Sequence, residues 1–143
     1  MALHQSSLDV AASPEVVWRV WSDPVHWPEW NPDVAEMSVD GPFATGSSAT
    51  MRTRAGRTHR MQILEVSPPR RFVLVTRAAP GMRLRFECSV EPLDGGRSRV
   101  SQGVELGGVI GTLAARRAGP KLAASFQPIL QGLAERSQAM AHG

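Results

Sequence analysis

The 143 residues carry 16 Lys and Arg against 13 Asp and Glu, a formal net charge of +3, with 42% hydrophobic and 20% charged residues. That length and balance suit one domain spanning 1–143 around one core, and no apolar run approaches the roughly 20 residues of a membrane helix, so stable membrane insertion is not expected. Cys88 is the only cysteine, which excludes an internal disulfide and a cysteine-rich metal site.

Fifteen of the 16 cations are arginines, scattered from Arg52 to Arg85 and beyond without the regular interleaving of aromatic residues that single-strand binding would want. This is the pattern of a solvated sheet face, and no nucleic-acid partner is expected. Met1 to Gln5 has neither a basic stretch nor an apolar signal core, so export is not expected and a cytoplasmic location is.

Leu3 to Val10 reads as a first strand. Ser13-Pro14-Glu15 then supplies an N-cap and a proline at the first helical position, and Val17, Trp18, Val20 and Trp21 give the helix one apolar side until Asp23-Pro24 ends it. A second helical turn covers Val25 to Trp30. From Val34 onward, β-favouring segments recur every ten or so residues between Gly, Pro and Asp signals: Val34–Val39, Ser47–Arg54, Thr58–Val66, Arg71–Arg77, Met82–Glu91 and Ser98–Leu106. In the fifth of these, Leu84, Phe86, Cys88 and Val90 alternate with Arg83, Arg85, Glu87, Ser89 and Glu91, so the sheet has one dry face and one wet face. Asp94-Gly95-Gly96 marks the hairpin into the last strand, where Val100, Gln102, Val104 and Leu106 face inward. After the hinge Gly107-Gly108 and Gly111, the chain reads as helix to about Met140. Leu122, Phe126, Ile129, Leu130 and Leu133 form its apolar stripe, which needs the open face of the sheet as its partner. Pro120 is expected to restart this helix after Gly119, and Pro128 to kink it.

No chemical motif assembles. His4, His26, His59 and His142 lack metal-ligand spacing, and no nucleophile elbow, phosphate loop or dinucleotide fingerprint is present, so neither metal nor cofactor is expected. Two polar residues are the candidates for catalysis. Gln102 shares the inward phase of Val100 and Val104, where its amide either orients a ligand carbonyl or satisfies a backbone group. Glu65 shares a face with Met61 and Ile63, yet apolar Leu64 and Val66 lie on the opposite face, leaving its direction open between a buried base of raised pKa and a solvated strand end. Trp18 and Trp21 are read as core, whereas Trp27 and Trp30 flank a loop at the edge of any cavity. Cys88, between Phe86 and Val90, is an inert buried thiol.

The strings Ala12-Ser13-Pro14-Glu15-Val16-Val17-Trp18, Asp23-Pro24 and Trp27-Pro28-Glu29-Trp30-Asn31-Pro32 resemble the opening of bacterial SRPBCC proteins of the polyketide cyclase/dehydrase and lipid transport group. Gly46, Glu65-Val66-Ser67-Pro68-Pro69-Arg70-Arg71-Phe72 and Gly95-Gly96-Arg97-Ser98-Arg99-Val100 extend the likeness over nearly the whole chain. The resemblance implies an α+β helix-grip fold, as in birch-allergen-like proteins and START domains. Two short helices follow strand 1, and a seven-stranded antiparallel sheet wraps a long C-terminal helix around a cavity for hydrophobic or amphipathic molecules. The absence of tyrosine departs from the cyclase pattern.

The expected partner is therefore a small hydrophobic molecule, lipid- or polyketide-like. The expected walls are Met51, Ile63 and Leu74, then Leu84, Phe86 and Cys88, then Gln102 and Val104 on the strands. Phe126, Ile129 and Leu130 complete them from the helix, and Trp27 and Trp30 stand at the mouth. A cyclase- or dehydratase-like enzyme in the same cavity is the alternative, and a dimerising or chaperone-binding domain a third reading. Monomer and homodimer both fit.

Overall fold

The computed structural model describes residues 3–142. Strand β1 (His4–Val10) leads to helix α1 (Pro14–Trp21) and a 3₁₀ segment (Pro24–Glu29). Six strands follow: β2 (Val34–Asp40), β3 (Ser48–Thr53), β4 (Thr58–Ser67), β5 (Arg71–Ala79), β6 (Met82–Leu93) and β7 (Arg97–Gly107). Two consecutive helices, α2 (Gly108–Ala124) and α3 (Gln127–His142), complete the chain. The strands form one antiparallel sheet in the order β1-β7-β6-β5-β4-β3-β2, a meander whose last strand is joined by the first. The helices lie on the inner face of this sheet in the helix-grip manner.

Local chemistry starts and stops these elements as expected. The Ser13 hydroxyl accepts from Val16 N at 3.3 Å, and Pro14 opens α1. Positive φ at Gly95 and Gly96 turns β6 into β7. On the inner face the register sets Leu74, Phe86 and Val104 in one cross-strand row and Phe72, Cys88 and Gln102 in the next. On the outer face Arg71 bridges Glu65 and Glu87, and Arg85 bridges Glu87 and Glu105. Val73 lies between Glu65 and Glu87 in the register and is fully buried.

The C-terminal segment is helical from Gly108, but its break differs from the expectation. Pro120 lies inside α2, and the regular helix is interrupted only by a turn at Ser125 and Phe126. Phe126 O then accepts from Leu130 N at 2.9 Å, so α3 begins there. Pro128 falls in the first turn of α3, where a missing N–H leaves no bond unmade, and it opens a second helix instead of kinking a continuous one. The last helix, expected to about Met140, runs to His142, whose ring lies 3.2 Å from Ala11 O.

Candidate functional site

The four tryptophans converge. Trp18, Trp21, Trp27 and Phe43 all pack their rings against Phe72, at centroid separations of 5.3–6.3 Å. Trp27 anchors itself by donating its indole N–H to Trp21 O at 3.0 Å. The cluster welds α1 and the 3₁₀ segment to β5, in the mostly edge-to-face geometry that aromatic quadrupoles favour.

Next to this cluster, a cavity of about 200 Å³ lies between the inner face of the sheet, the 3₁₀ segment and the α2–α3 junction. Of the residues expected to wall it, Met51, Leu74, Phe86, Cys88 and Gln102 do so from the sheet. Phe126 and Ile129 do so from the helices, and Trp27 and Trp30 from the 3₁₀ segment and its end. Phe86 and Phe126 face each other across the space with ring centroids 6.2 Å apart.

Ile63, Val104 and Leu130 also point inward, but they are fully buried in the core and contribute no wall; half-buried Leu84 contributes none either. The physical reason is simple: strand phase says which face a side chain is on, not whether a helix fills the space above it. Helix α2 packs on β6 and β7, the strands that carry Leu84 and Val104.

Glu65 is not at the cavity. A register shift between Ile63 and Glu65 reverses the alternation. Val66 is thereby paired with inward Phe72, and Glu65 joins the outer face, where its carboxylate lies 3.0 Å from Arg71 Nε and accepts from the Ser67 hydroxyl at 2.8 Å.

Gln102 does face inward, directly beside Cys88 in the register, and its amide has no hydrogen-bond partner among the described protein groups. The indole N–H of Trp30 is buried and likewise unpartnered among the described residues. Cys88 is buried among apolar groups; that burial, helped by the adjacent Glu87 carboxylate, drives its thiol pKa far upward and keeps it protonated.

Several walls were not anticipated. Met61 and Phe72 share the strand phase of Ile63 and Leu74, so alternation alone would have found them. The polar rim of Asn31, Asp33, Thr53 and Ser125 lies in loops and at element ends, where no periodicity signals direction. Asn31 is buried and its side-chain oxygen accepts from Asp33 N at 3.0 Å, fixing the loop that carries Asp33 to the rim. Asp33 and Cys88 are the titratable side chains among the lining residues. Among the described residues no three His, Cys, Asp or Glu side chains converge as a metal site would need. No described helix is long and apolar enough to cross a membrane.

The model of the family described as polyketide cyclase/dehydrase and lipid transport matches residues 1–138. No curated protein matches the chain. Among solved structures, the protein XoxI from Bacillus cereus superposes with a TM-score of 0.76 at 19% identity, covering 100% of each chain. A START superfamily protein from Mycobacterium smegmatis gives 0.73 at 15% identity, covering 96% of this chain and 98% of its own. Norcoclaurine synthase from Thalictrum flavum, in complex with dopamine and hydroxybenzaldehyde, gives 0.73 at 14%, covering 99% and 88%. At these identities the likeness is one of fold.

Proposed function

The chain belongs to the polyketide cyclase/dehydrase and lipid transport family, and from that premise we propose that it binds one compact, largely apolar molecule bearing a carbonyl or hydroxyl group in the cavity between sheet and helices. The observation that carries this reading is the unpaired Gln102 amide set among Phe72, Phe86, Cys88 and Phe126 at a cavity wall. Gln102 is half-buried, and its amide is free to bond a ligand oxygen or N–H in place of water. The buried Trp30 N–H is a second donor in the same wall residue set.

The walls also speak to ligand class. At about 200 Å³ the cavity is smaller than the roughly 300–1,000 Å³ of drug-sized sites, and Trp27, Trp30, Phe72, Phe86 and Phe126 supply flat apolar surfaces. A fused or single ring with one polar edge, as in a small polyketide, suits this better than an extended acyl chain. Burial would drive binding at about 25 cal/mol per Å² of apolar surface.

Binding is favoured over catalysis because the wall is sparse in proton-transfer groups. Gln102 does not titrate at neutral pH, Cys88 stays protonated, and Glu65 is on the other face of the sheet. Cyclase- or dehydratase-like chemistry in this cavity would fall to Asp33 at its rim.

Native mass spectrometry of freshly purified protein, followed by calorimetric titration with naphthol, tests the proposal. The expected result is a retained small-molecule mass or saturable one-to-one naphthol binding, weakened more than about tenfold in Phe86→Asp, which places a charge in the apolar wall. A folded Phe86→Asp variant that binds naphthol with unchanged affinity would overturn the assignment of this cavity.

A further inference from the structure

Helix α2 packs one face on β6, β7 and β1, with Gly111, Gly119 and Ala123 buried and Leu122 reaching the cavity. Its opposite face is unusual. Val109, Ile110 and Leu113 are 76%, 51% and 81% exposed, three of the largest apolar exposures among the described residues. At 100° per residue, Val109, Ile110, Leu113, Arg116, Arg117 and Lys121 all fall within an arc of about 140°, the apolar residues in the first turns and the cations after them. All three cations are exposed and, like Arg19, Arg54, Arg57, Arg70, Arg77 and Arg83 elsewhere on the surface, have no carboxylate partner among the described residues, so their charge is not cancelled locally. No Asp or Glu occurs between Glu105 and Glu135.

The apolar turn is also held in place. Gly108 takes φ +80°, and Ile110 N and Gly111 N both donate to Gly81 O, at 2.9 and 3.2 Å, so the tip of the β5–β6 hairpin satisfies the N-terminal amides of α2. Val109, Ile110 and Leu113 are thereby presented on a fixed first turn.

We propose that this face of α2 docks the protein on an anionic lipid bilayer. The first turn enters the headgroup region while Arg116, Arg117 and Lys121 lie at the level of the lipid phosphates. The chemistry favours a bilayer over a protein partner because the surface joins exposed aliphatic side chains to a cation set with no acidic residue on the same helix, the two signals that peripheral membrane attachment combines. Attachment on this face is peripheral, not spanning. It holds whatever fills the cavity, since no cavity wall lies on it.

Co-sedimentation of the full chain with vesicles tests this, comparing phosphatidylcholine alone with equal parts phosphatidylcholine and phosphatidylglycerol. Each cation near an anionic leaflet strengthens binding roughly fivefold, so the three give about a hundredfold preference for the anionic vesicles, falling as salt is raised. Leu113→Asp, and separately the double variant Arg116→Glu with Arg117→Glu, are expected to lose at least about tenfold in vesicle affinity while their thermal unfolding stays that of the parent, because the altered side chains are exposed. Should one variant fail to fold, the other carries the comparison. Absence of binding, equal binding to both vesicles, or binding unchanged in the folded variants overturns the proposal. So does a dimer in solution that Leu113→Asp converts to a monomer with no vesicle binding by either form, which makes the face an interface between copies.

Discussion

Helix α3 crosses the end of the 3₁₀ segment so closely that a Cβ on Gly132 would overlap the carbonyl oxygen of Trp30. Glycine is required here for the approach of two backbones, and the neighbouring Arg136–Glu29 ion pair at 2.8 Å ties the same two elements together. Gly132→Ala should therefore destabilise the protein although alanine is the better helix former. Its helix propensity returns about 1 kcal/mol, whereas overpacking against a carbonyl that cannot rotate away costs more, and a net loss of roughly 1–3 kcal/mol is expected. Chemical denaturation measures it, and a Gly132→Ala protein as stable as the parent would contradict the packing described.

Much of this architecture is readable from the chain because local chemistry and burial agree. The Ser13-Pro14 start, the alternation from Leu84 to Val90 and the Asp94-Gly95-Gly96 turn each specify an element without help from distant residues. The site is less readable, for two physical reasons. A single register shift in β4 sends Glu65 outward, and the change of apolar phase from Met61 and Ile63 to Leu64 and Val66 leaves that direction open without fixing it. A void is a property of the packing between elements, so Phe72 and Ile63 look alike in the sequence although only Phe72 lines the cavity. The Pro128 helix start belongs to the same class. A proline inside an apolar stripe reads as a kink until the break at Ser125 and Phe126 places it in a first turn.

Gln102→Leu separates an orienting role from a structural one. The amide makes no protein hydrogen bond, so its removal should leave stability unchanged within about 0.5 kcal/mol or raise it slightly. Affinity for naphthol should fall about five- to tenfold, the worth of one hydrogen bond, and affinity for naphthalene should not fall. Calorimetric titration with both compounds is decisive, since an equal loss for both would mean that leucine changes only the shape of the wall.

Cys88 reports on occupancy. Its thiol lies at the cavity wall with its pKa driven upward by burial, so the native protein should react with iodoacetamide far more slowly than the unfolded chain, whose thiol ionises near pH 8.5. Because the reagent must enter the cavity, a bound apolar molecule should slow modification further, in proportion to its occupancy. Mass-spectrometric timing of alkylation with and without naphthol gives both rates. Equal rates in native and denatured protein would show that the thiol is not enclosed.

His26 provides a pH-dependent contact at the edge of the aromatic cluster. Its Nδ1 lies 2.7 Å from Asp23 Oδ2, and Nε2 lies 3.9 Å from Glu29 Oε2. The Asp23 hydrogen bond and charge, with a smaller push from Glu29, raise the histidine pKa above 6.5 against a small opposing effect of Arg136. A raised folded-state value means that the pair contributes fully below the unfolded pKa of about 6.5 and that the contribution is lost as pH rises through the folded value. Both side chains are half exposed to water, so the effect on global stability is small and the titration itself is the better observable. Proton NMR of the His26 ring should give a midpoint above that of the unfolded chain, and Asp23→Asn should bring it down towards the unfolded value. A midpoint at or below the unfolded value would mean that the Asp23 contact does not hold the imidazolium in solution.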